Sequence, residues 1–250
     1  MVALMGLRLR LPEPPPLASL RAAGPVALFL DFDGTLVEIA DGPDAVSVLP
    51  RLAERLERLA HHLKGALAVV SGRSIDNLHG FLGPAALHFA GSHGADVRVP
   101  SGQALRVAEP LPIAATDSLR AFADEAGLLY EHKAHGAALH YRTQPGLEGR
   151  AHDFAAELAK THGLAIKAGK CVVELVWPGA DKGGAVDLFM AQSAFAGATP
   201  VFIGDDVTDE DGFAACQHHG GFGIAVGERP SAGARYSLET VKDVHAWLEI

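Results

Sequence analysis

Two closely spaced carboxylates end an apolar run near the start of the chain, in the stretch LFLDFDGTLVEI. Val26–Leu30 is predicted as a buried strand, and Asp31 and Asp33 follow it directly. Two such carboxylates repel each other unless a cation joins them, and a site made only of oxygens suits Mg²⁺. They could also divide the labour of a reaction, one ionised as a nucleophile and the other protonated as a general acid. Taken alone, however, Asp-x-Asp-Gly is more often a turn.

A second acidic group occurs in the stretch FIGDDVTDEDGF. Asp205, Asp206 and Asp209 follow the predicted strand Pro200–Ile203, and the spacing is not that of an EF-hand calcium loop. A solvated acidic loop at the start of a helix is the alternative interpretation. If this strand ends beside the strand that delivers Asp31, the two acidic groups together form one Mg²⁺ site.

Two further stretches offer groups that suit an anion. In VVSGRS, Ser71 can present its hydroxyl and nearby backbone N–H groups to an oxyanion, and Arg73 offers a bidentate fork for phosphate or sugar oxygens. In GADKGGAV, Lys182 stands at a predicted helix start, where it could orient Asp31 and neutralise phosphate charge. The alternatives are an ordinary Ser-Gly-Arg turn and an exposed Lys182 that follows a helix-capping Asp181. The spacing of a P-loop is absent.

The elements that must position these groups alternate between short apolar runs and helical patterns, which predicts a parallel sheet with crossover helices. The predicted elements of this part are the strands Val26–Leu30, Leu67–Val70, Pro200–Ile203 and Gly223–Val226 and the helix Pro50–Lys64. Ligands of open α/β sheets lie outside the carboxyl ends of the strands. The polar groups after the first three strands are therefore expected to converge on one edge of the sheet.

The middle of the chain, from about residue 101 to residue 177, shows a different pattern. It predicts strands at Ala137–Arg142 and Cys171–Val176, with one helix at about Ala115–Ala126 before them and another at about Leu147–Thr161 between them. This pattern indicates a small α/β unit inserted into the larger sheet.

Composition restricts the class of protein. The chain has 250 residues, 48% of them apolar, which is enough for one large domain or two small ones. The formal net charge of −9, with scattered Lys and Arg, argues against nucleic-acid binding but not against a small anionic substrate. Two distant cysteines predict neither a disulfide framework nor a zinc motif. The sparse cysteines fit a reducing cytosol, and a signal-peptide pattern or an apolar run of roughly 18 residues is lacking, so we expect a cytoplasmic protein with no membrane partner. We also expect a monomer.

Taken together, the stretches DFDGTL, SGR, GADK and GDDVTDED resemble, in content and order, the haloacid-dehalogenase-like phosphatase superfamily. The resemblance extends to the trehalose-6-phosphate phosphatases through five runs: SGRS, GSHGADVR, EHKAHGAALHYR, GKCVVEL and GDDVTDEDGF. The implied fold is α/β, with a Rossmann-like parallel-sheet core (residues 1–100 and 179–250) and an inserted smaller α/β cap (residues 101–178). One departure is VELVWPG, because these phosphatases commonly have a basic residue and then Pro after VEL.

The resemblance implies Mg²⁺-dependent hydrolysis of trehalose 6-phosphate to trehalose and inorganic phosphate through an aspartyl-phosphate. Asp31 would attack phosphorus, and Asp33 would protonate the leaving oxygen and later activate water. Mg²⁺ would be held by Asp31, the backbone carbonyl of Asp33 and Asp205, with Asp206 and Asp209 as further ligands or supports. Ser71 and Lys182 would hold phosphate oxygens, assisted by Thr35.

By the same resemblance, the cap would recognise the sugar hydroxyls through Glu131, Lys133, Arg142, Lys170 and Glu174, and His93 would line the cleft. Taken singly, each cap residue is more often an exposed charge. The pairs Glu131/Lys133 and Lys170/Glu174 each fall on one face of an extended strand, which favours a site. The other histidines of this region, His132, His135 and His140, are expected at the surface or in packing. The alternatives are a phosphatase for sucrose phosphate or a mannosyl phosphate, and an inactive sugar-phosphate sensor.

Overall fold

The computed structural model describes residues 11–39, 46–169 and 171–250. These residues form twelve strands in two sheets and eight α-helices, besides three single-turn 3₁₀ helices. The strands of the larger sheet are β1 Val26–Leu30, β2 Leu67–Val70, β3 His88–Gly91, β4 Asp96–Arg98, β5 Ala104–Val107, β10 Thr199–Gly204, β11 Phe222–Val226 and β12 Ala234–Leu238. Those of the smaller sheet are β6 Leu129–Lys133, β7 Gly136–His140, β8 Ala165–Gly169 and β9 Val172–Val176. The helices are α1 Leu17–Ala23, α2 Leu52–His62, α3 Ile75–Leu82, α4 Ile113–Ala126, α5 Glu148–His162, α6 Lys182–Met190, α7 Asp209–His218 and α8 Val241–Leu248.

The larger sheet has the order β12-β11-β10-β1-β2-β3-β4-β5, and its first six strands run parallel. Every residue of β1 and β2 is buried, as expected for central strands of a parallel sheet covered on both faces. Both strands have the predicted bounds, because their apolar runs end abruptly at polar residues. The predicted α/β class with a parallel-sheet core is confirmed.

The smaller sheet is antiparallel, with the order β6-β7-β9-β8. Its own core joins apolar residues of α4 and α5 to inward-facing residues of the sheet, such as Leu119, Ala155, Leu139 and Leu175. The two predicted strands and two predicted helices of this unit all occur, with bounds shifted by at most two residues.

The predicted start of the inserted unit at residue 101 needs a correction. Strand β5 lies inside the predicted cap but pairs antiparallel with β4, so it extends the edge of the larger sheet. A hairpin turn through Gly102, which has a positive φ, makes this pairing possible. The inserted unit therefore begins after Val107 rather than at residue 101. The division of the chain into a core and a cap, with this new boundary, stays a prediction.

Trp177, which marks the departure from the usual sequence, lies on the second of the two connections between the sheets. Its indole N–H donates to the carbonyl of Glu109, on the first connection, at 2.7 Å. Arg106 makes a second tie by donating to the carbonyl of Gly179. The Trp177 side chain thus holds the two connections together. Within the described ranges, no helix is long and apolar enough to cross a membrane.

The parallel register brings three chain segments to one edge of the larger sheet. Leu30, the last residue of β1, pairs with Ile203 of β10 on one side and with Val69 of β2 on the other. The polar residues that follow these strands are therefore neighbours. Gly34 lets them approach closely, because it has a positive φ and a Cβ there would overlap the Asp205 carboxylate.

Candidate active site

Three carboxylates meet where β1 and β10 end. Asp31 follows β1, Asp205 follows β10 and Asp209 begins α7, and one oxygen of each lies within 4.8 Å of the others. Asp31 and Asp209 are buried. Asp206 is exposed instead, and its carboxylate accepts a hydrogen bond from the N–H of Val207 at 2.6 Å. The two acidic stretches therefore form one cluster, and Asp206 is outside it.

Lys182 is the buried cation of this cluster. Its Nζ donates to Asp31 Oδ1 at 2.7 Å and to Asp209 Oδ1 at 2.6 Å. Asp181 caps helix α6 by accepting from the N–H of Gly184, so Lys182 occupies the first helical position. Although burial acts to lower the pKa of Lys182, Asp31 and Asp209 raise it above its ordinary value, so the ammonium is charged. The alternative of an exposed Lys182 is excluded.

The cluster carries more negative than positive charge. Burial raises the pKa of Asp31 well above its usual range and Asp209 adds to this, although Lys182 acts in the opposite direction. Burial also raises the pKa of Asp205 to about 6, with further contributions from Asp209 and Asp206. When all three carboxylates are ionised, one ammonium leaves two negative charges uncompensated, and all available ligand atoms are oxygens. The residues present therefore fit a divalent cation such as Mg²⁺.

This charge excess predicts an unusual effect of Asp205→Asn. Because the folded-state pKa of Asp205, about 6, exceeds its unfolded value, the stability of the metal-free protein falls as the pH rises from about 4 to about 6. Removing this charge should stabilise the metal-free protein at pH 7 by roughly 1–2 kcal/mol after allowing for partial exposure. The expected rise in Tm is about 2–8 °C.

Thermal unfolding with and without a chelator, at pH 4.5 and pH 7, measures this. The exposed Asp117→Asn is the matched control, and it should leave Tm unchanged. The interpretation of the cluster is wrong if Asp205→Asn lowers the Tm of the metal-free protein at pH 7.

Arg73 and Asp33 form a bidentate ion pair. Arg73 Nε lies 2.6 Å from Asp33 Oδ2, and Nη2 lies 2.7 Å from Oδ1. The third nitrogen, Nη1, donates to Asn77 Oδ1 at 2.8 Å, and the guanidinium carbon lies 5.0 Å from the centre of the Phe81 ring. The fork expected to hold phosphate or sugar oxygens is therefore occupied by Asp33. Its planar geometry matches a carboxylate, which explains the preference.

Two buried hydroxyls stand beside these charges. Ser71 follows β2, and its Oγ accepts a hydrogen bond from the N–H of Arg73 at 3.1 Å. Thr35 Oγ1 is buried and has no hydrogen-bond partner among the described residues. Because a buried hydroxyl without a partner is costly, Thr35 is available to a ligand with an acceptor oxygen.

A cleft of about 330 Å³ lies between the larger sheet and the inserted unit. The first side contributes Gly72, Ser74 and His93, and the inserted unit contributes Glu131, Lys133, His135, Lys167 and Glu174. Lys133 Nζ donates to Glu174 Oε2 at 2.9 Å across β7. Gly136 makes room for this pair, since a Cβ there would lie 2.8 Å from Glu174 Oε1.

His93 is a neutral hydrogen-bonding group of this cleft. Burial lowers its pKa to about 3, and Lys182, Lys167 and Lys133 contribute to the shift. Its Nδ1 is buried and has no partner among the described residues. The ring fits against Gly72, where a Cβ would lie 2.6 Å from Cε1. Both His93 and Ser92 have positive φ values, a backbone conformation that is rare for residues other than Gly and often found at binding sites.

Comparison with known proteins agrees with this site. A family model described as trehalose-phosphatase matches residues 29–243. The trehalose-6-phosphate phosphatase of Escherichia coli K12 is 39% identical over 228 residues, which cover 90% of this chain and 85% of that protein. The probable trehalose-phosphate phosphatase of Sinorhizobium fredii is 39% identical over 224 residues, with 88% and 84% coverage. The chain belongs to the trehalose-phosphatase family.

Solved structures of this family share the fold. The structure of Aspergillus fumigatus trehalose-6-phosphate phosphatase, crystal form 3, aligns with a TM-score of 0.77 at 25% identity, covering 96% of this chain and 97% of that one. The C-terminal domain of the Candida albicans enzyme aligns with a TM-score of 0.74 at 21% identity, with 97% and 99% coverage. As a family member, this chain is an enzyme, a phosphatase.

Of the other residues predicted for the sugar site of this trehalose-phosphatase family member, Glu131 lines the cleft but Arg142 does not. Glu131 lines the cleft and lies 2.7 Å from His140 Nε2. Arg142 is exposed in the turn after β7 and is not among the described residues that line the cleft. Lys170 lies outside the described residues.

Sequence reasoning missed two ionisable residues of the cleft. His135, expected at the surface or in packing, lines it from the β6–β7 turn. Lys167 pairs in register with Glu174 and also bridges to Asp211 of α7, with Nζ 3.2 Å from Oδ2. Lys167 could not be predicted as a cleft residue, because a single charged residue on a short strand does not form a recognisable sequence pattern. The Gly that follows His135 is typical of a hairpin connection, but it does not show which way the His135 side chain points.

Proposed function

We propose that this phosphatase hydrolyses trehalose 6-phosphate to trehalose and inorganic phosphate, with Mg²⁺ as cofactor and an aspartyl-phosphate on Asp31 as intermediate. The observation that carries the proposal is the position of Asp31. Its carboxylate is buried, is held through one oxygen by Lys182, and adjoins Asp205 and Asp209. A binding protein needs cationic groups for a phosphate but not a nucleophile inside an acidic cluster, so the sensor alternative is disfavoured.

In the first half of the reaction, an Asp31 oxygen attacks phosphorus while the bond from phosphorus to the sugar oxygen breaks. Asp33 donates its proton to that leaving oxygen, a contribution worth about 10²–10⁴ in rate. In the second half, water attacks phosphorus, Asp33 takes a proton from the water, and the Asp31–phosphorus bond breaks. Arg73 donates a hydrogen bond to each oxygen of Asp33 and thereby orients this carboxyl group. One of these hydrogen bonds must break before Asp33 carries a proton.

Phosphoryl transfer spreads charge over the phosphoryl oxygens, so positioning and electrostatic stabilisation carry most of the catalysis. Lys182 and the hydroxyls of Ser71 and Thr35 are proposed to hold these oxygens. When bound, Mg²⁺ would neutralise charge on the phosphoryl group. Asp31, Asp205 and the backbone carbonyl of Asp33 are its proposed ligands. Asp209 supports them, because one of its oxygens accepts from Lys182 and the other from the N–H of Asp206.

The inserted unit is proposed to recognise the sugar. The carboxylate of Glu174 and the ammonium of Lys133 in this unit, and the neutral imidazole of His93 on the facing side of the cleft, offer acceptors and donors to hydroxyls. A site built on such groups rejects analogues that lack the hydroxyls, because its polar groups are then left unpaired. Glu131, Arg142 and Lys170 stay predictions from the resemblance, and so do the monomeric state and the cytoplasmic location.

Phosphate release by the purified protein tests the function. We compare trehalose 6-phosphate, sucrose 6-phosphate and glucose 6-phosphate, each with Mg²⁺ and with a chelator. The proposal expects a strong preference for trehalose 6-phosphate that is abolished by chelation. Equal activity on all three substrates would contradict the assignment of the substrate, and the absence of any activity would support the sensor.

Replacing Glu174 by Gln should weaken recognition of the sugar but not the reaction at phosphorus. The variant keeps the shape but loses the negative charge that pairs with Lys133 and that strengthens hydrogen bonds donated by the sugar hydroxyls. A hydrogen bond to a charged group is worth about 1.5–3 kcal/mol, so kcat/KM for trehalose 6-phosphate should fall roughly 10- to 100-fold.

The measurement compares trehalose 6-phosphate with p-nitrophenyl phosphate, a substrate without the sugar, on which the variant should match the wild type. Glu125→Gln, on the exposed face of α4, is the control. An equal loss on both substrates would place Glu174 in the phosphoryl chemistry or in folding, against the proposal.

A further inference from the structure

Arg229, in the loop between β11 and β12, contacts the segment that carries the acidic cluster. Its Nε donates to the backbone carbonyl of Asp205 at 2.8 Å, and its Nη2 donates to the carbonyl of Asp206 at 2.9 Å. One planar guanidinium therefore spans two consecutive peptide groups. Neither the family resemblance nor the reaction scheme above uses this residue.

Glu210 holds the guanidinium in place. Arg229 Nη2 lies 2.8 Å from Glu210 Oε1, and Glu210 Oε2 accepts from the N–H of Gly233 at 2.7 Å. Although burial acts to raise it, hydrogen bonds from Arg229, Ser231 and Gly233 lower the pKa of Glu210, so the pair is ionised. The ion pair between Arg229 and Glu210, which has no net charge, thus connects the loop after β11 to the start of α7, next to the loop after β10.

The two carbonyls belong to a short irregular segment between β10 and α7. Asp205 stands where the strand has ended and the helix has not begun, so its backbone is outside regular hydrogen bonding of either element. The orientation of a peptide group determines where the attached side chain points. A hydrogen bond to the Asp205 carbonyl therefore restrains the direction of the Asp205 carboxylate toward Asp31.

We propose that Arg229 is a positioning residue for the divalent cation: it fixes the Asp205–Asp206 peptide groups so that the Asp205 carboxylate meets Asp31. Glu210 anchors the guanidinium and cancels its charge, so that Arg229 does not repel the cation. This inference rests on the proposed metal-dependent function. Groups that support metal ligands typically change metal affinity by 10- to 100-fold when they are removed.

Positioning and simple electrostatics predict opposite results for Arg229→Met. If Arg229 acted only as a nearby positive charge, its removal would leave Glu210 uncompensated and strengthen the binding of Mg²⁺. If Arg229 positions Asp205, the same removal weakens the binding of Mg²⁺. The sign of the change therefore distinguishes the two roles.

The experiment is calorimetric titration of the purified full chain with Mg²⁺ in the absence of substrate, repeated with Mn²⁺ observed by electron paramagnetic resonance. We compare the wild type with Arg229→Met, Arg229→Lys and the control Arg235→Met. Arg235 is exposed on the neighbouring β12 and contacts the ring of Tyr236, so its removal deletes one positive charge from the same region.

The inference expects the Kd of Arg229→Met for Mg²⁺ to rise about 10- to 100-fold, with Arg229→Lys intermediate and Arg235→Met within about twofold of the wild type. Excess Mg²⁺ should restore kcat of the Arg229 variants, which a loss of folded protein would not allow. Unchanged or tighter Mg²⁺ binding by Arg229→Met overturns the inference. If that variant does not fold, Arg229→Lys is judged by the same criterion. A wild-type protein that binds no Mg²⁺ would instead overturn the proposed metal dependence, and this inference with it.

Discussion

Replacing Asp31 by Asn is expected to abolish phosphate release from trehalose 6-phosphate, with kcat reduced by about 10⁴ or more. Asn has the shape of Asp but neither its charge nor its nucleophilic oxygen, so the aspartyl-phosphate cannot form. The fold should be retained, since burial already disfavours the charge of Asp31. The loss should therefore appear without a fall in Tm of the metal-free protein.

Steady-state phosphate release and thermal unfolding of the same preparations measure these two effects. Asp153→Asn, which removes an exposed carboxylate from α5, is the control for the amide substitution and should keep full activity. An Asp31→Asn protein that retained more than about a tenth of the wild-type kcat would exclude Asp31 as the nucleophile.

Lys182→Met should have the largest effect on stability. Methionine has a similar length but leaves the buried carboxylates of Asp31 and Asp209 without their shared cation. Removing one partner of a buried ion pair costs about 3–5 kcal/mol of unfolding free energy. For a chain of this size, the corresponding fall in Tm is roughly 6–20 °C. Activity should fall about 10²–10³-fold, because a charge that stabilises the transferred phosphoryl group is lost.

The pH dependence identifies the cause of this destabilisation. Without Lys182, the pKa of Asp31 is raised still further, so the carboxylate that lacks its partner is charged only at high pH. The loss of stability should therefore be largest above pH 7 and shrink as the pH falls and Asp31 is protonated.

Mg²⁺ should also raise Tm more in Lys182→Met than in the wild type. Lys242→Met, at an exposed position of α8, is the control. A Lys182→Met protein with the wild-type Tm at pH 7 would contradict the account of the cluster.

The sequence was sufficient to predict the central strands that carry the reactive groups. Central strands of a parallel sheet are buried on both faces, so their composition alone marks β1 and β2 as uninterrupted apolar runs. The polar residues after them must then meet at the carboxyl edge. The association of Asp31, Asp205 and Lys182 followed from that rule together with the family resemblance.

Partners chosen by local geometry could not be predicted. Arg73 was expected to face a phosphate, but a carboxylate forty positions away, Asp33, fits its fork equally well. Arg229 bonds mainly to backbone carbonyls, which leave no trace in side-chain patterns. The edge strand β5 is half exposed and short, so it lacks the apolar run that identified the central strands. These three features could not be predicted for one reason. Each of them depends on contacts between segments that are distant in the sequence, and not on the spacing of residues along the chain.

In the proposed mechanism, Asp31 carries the phosphoryl group during turnover. The most direct test mixes the enzyme with excess trehalose 6-phosphate and Mg²⁺, quenches with acid within the first turnovers, and searches the peptides by mass spectrometry for phosphorylation. We expect a phosphoryl group on the peptide that contains Asp31, released by hydroxylamine and absent when Asp31→Asn replaces the wild type. Asp33→Asn lacks the group that activates water in the second half of the reaction, so it should hold the phosphoryl group longer than the wild type. Phosphate release by the wild type, with no phosphorylated Asp31 peptide in either protein, would contradict the mechanism.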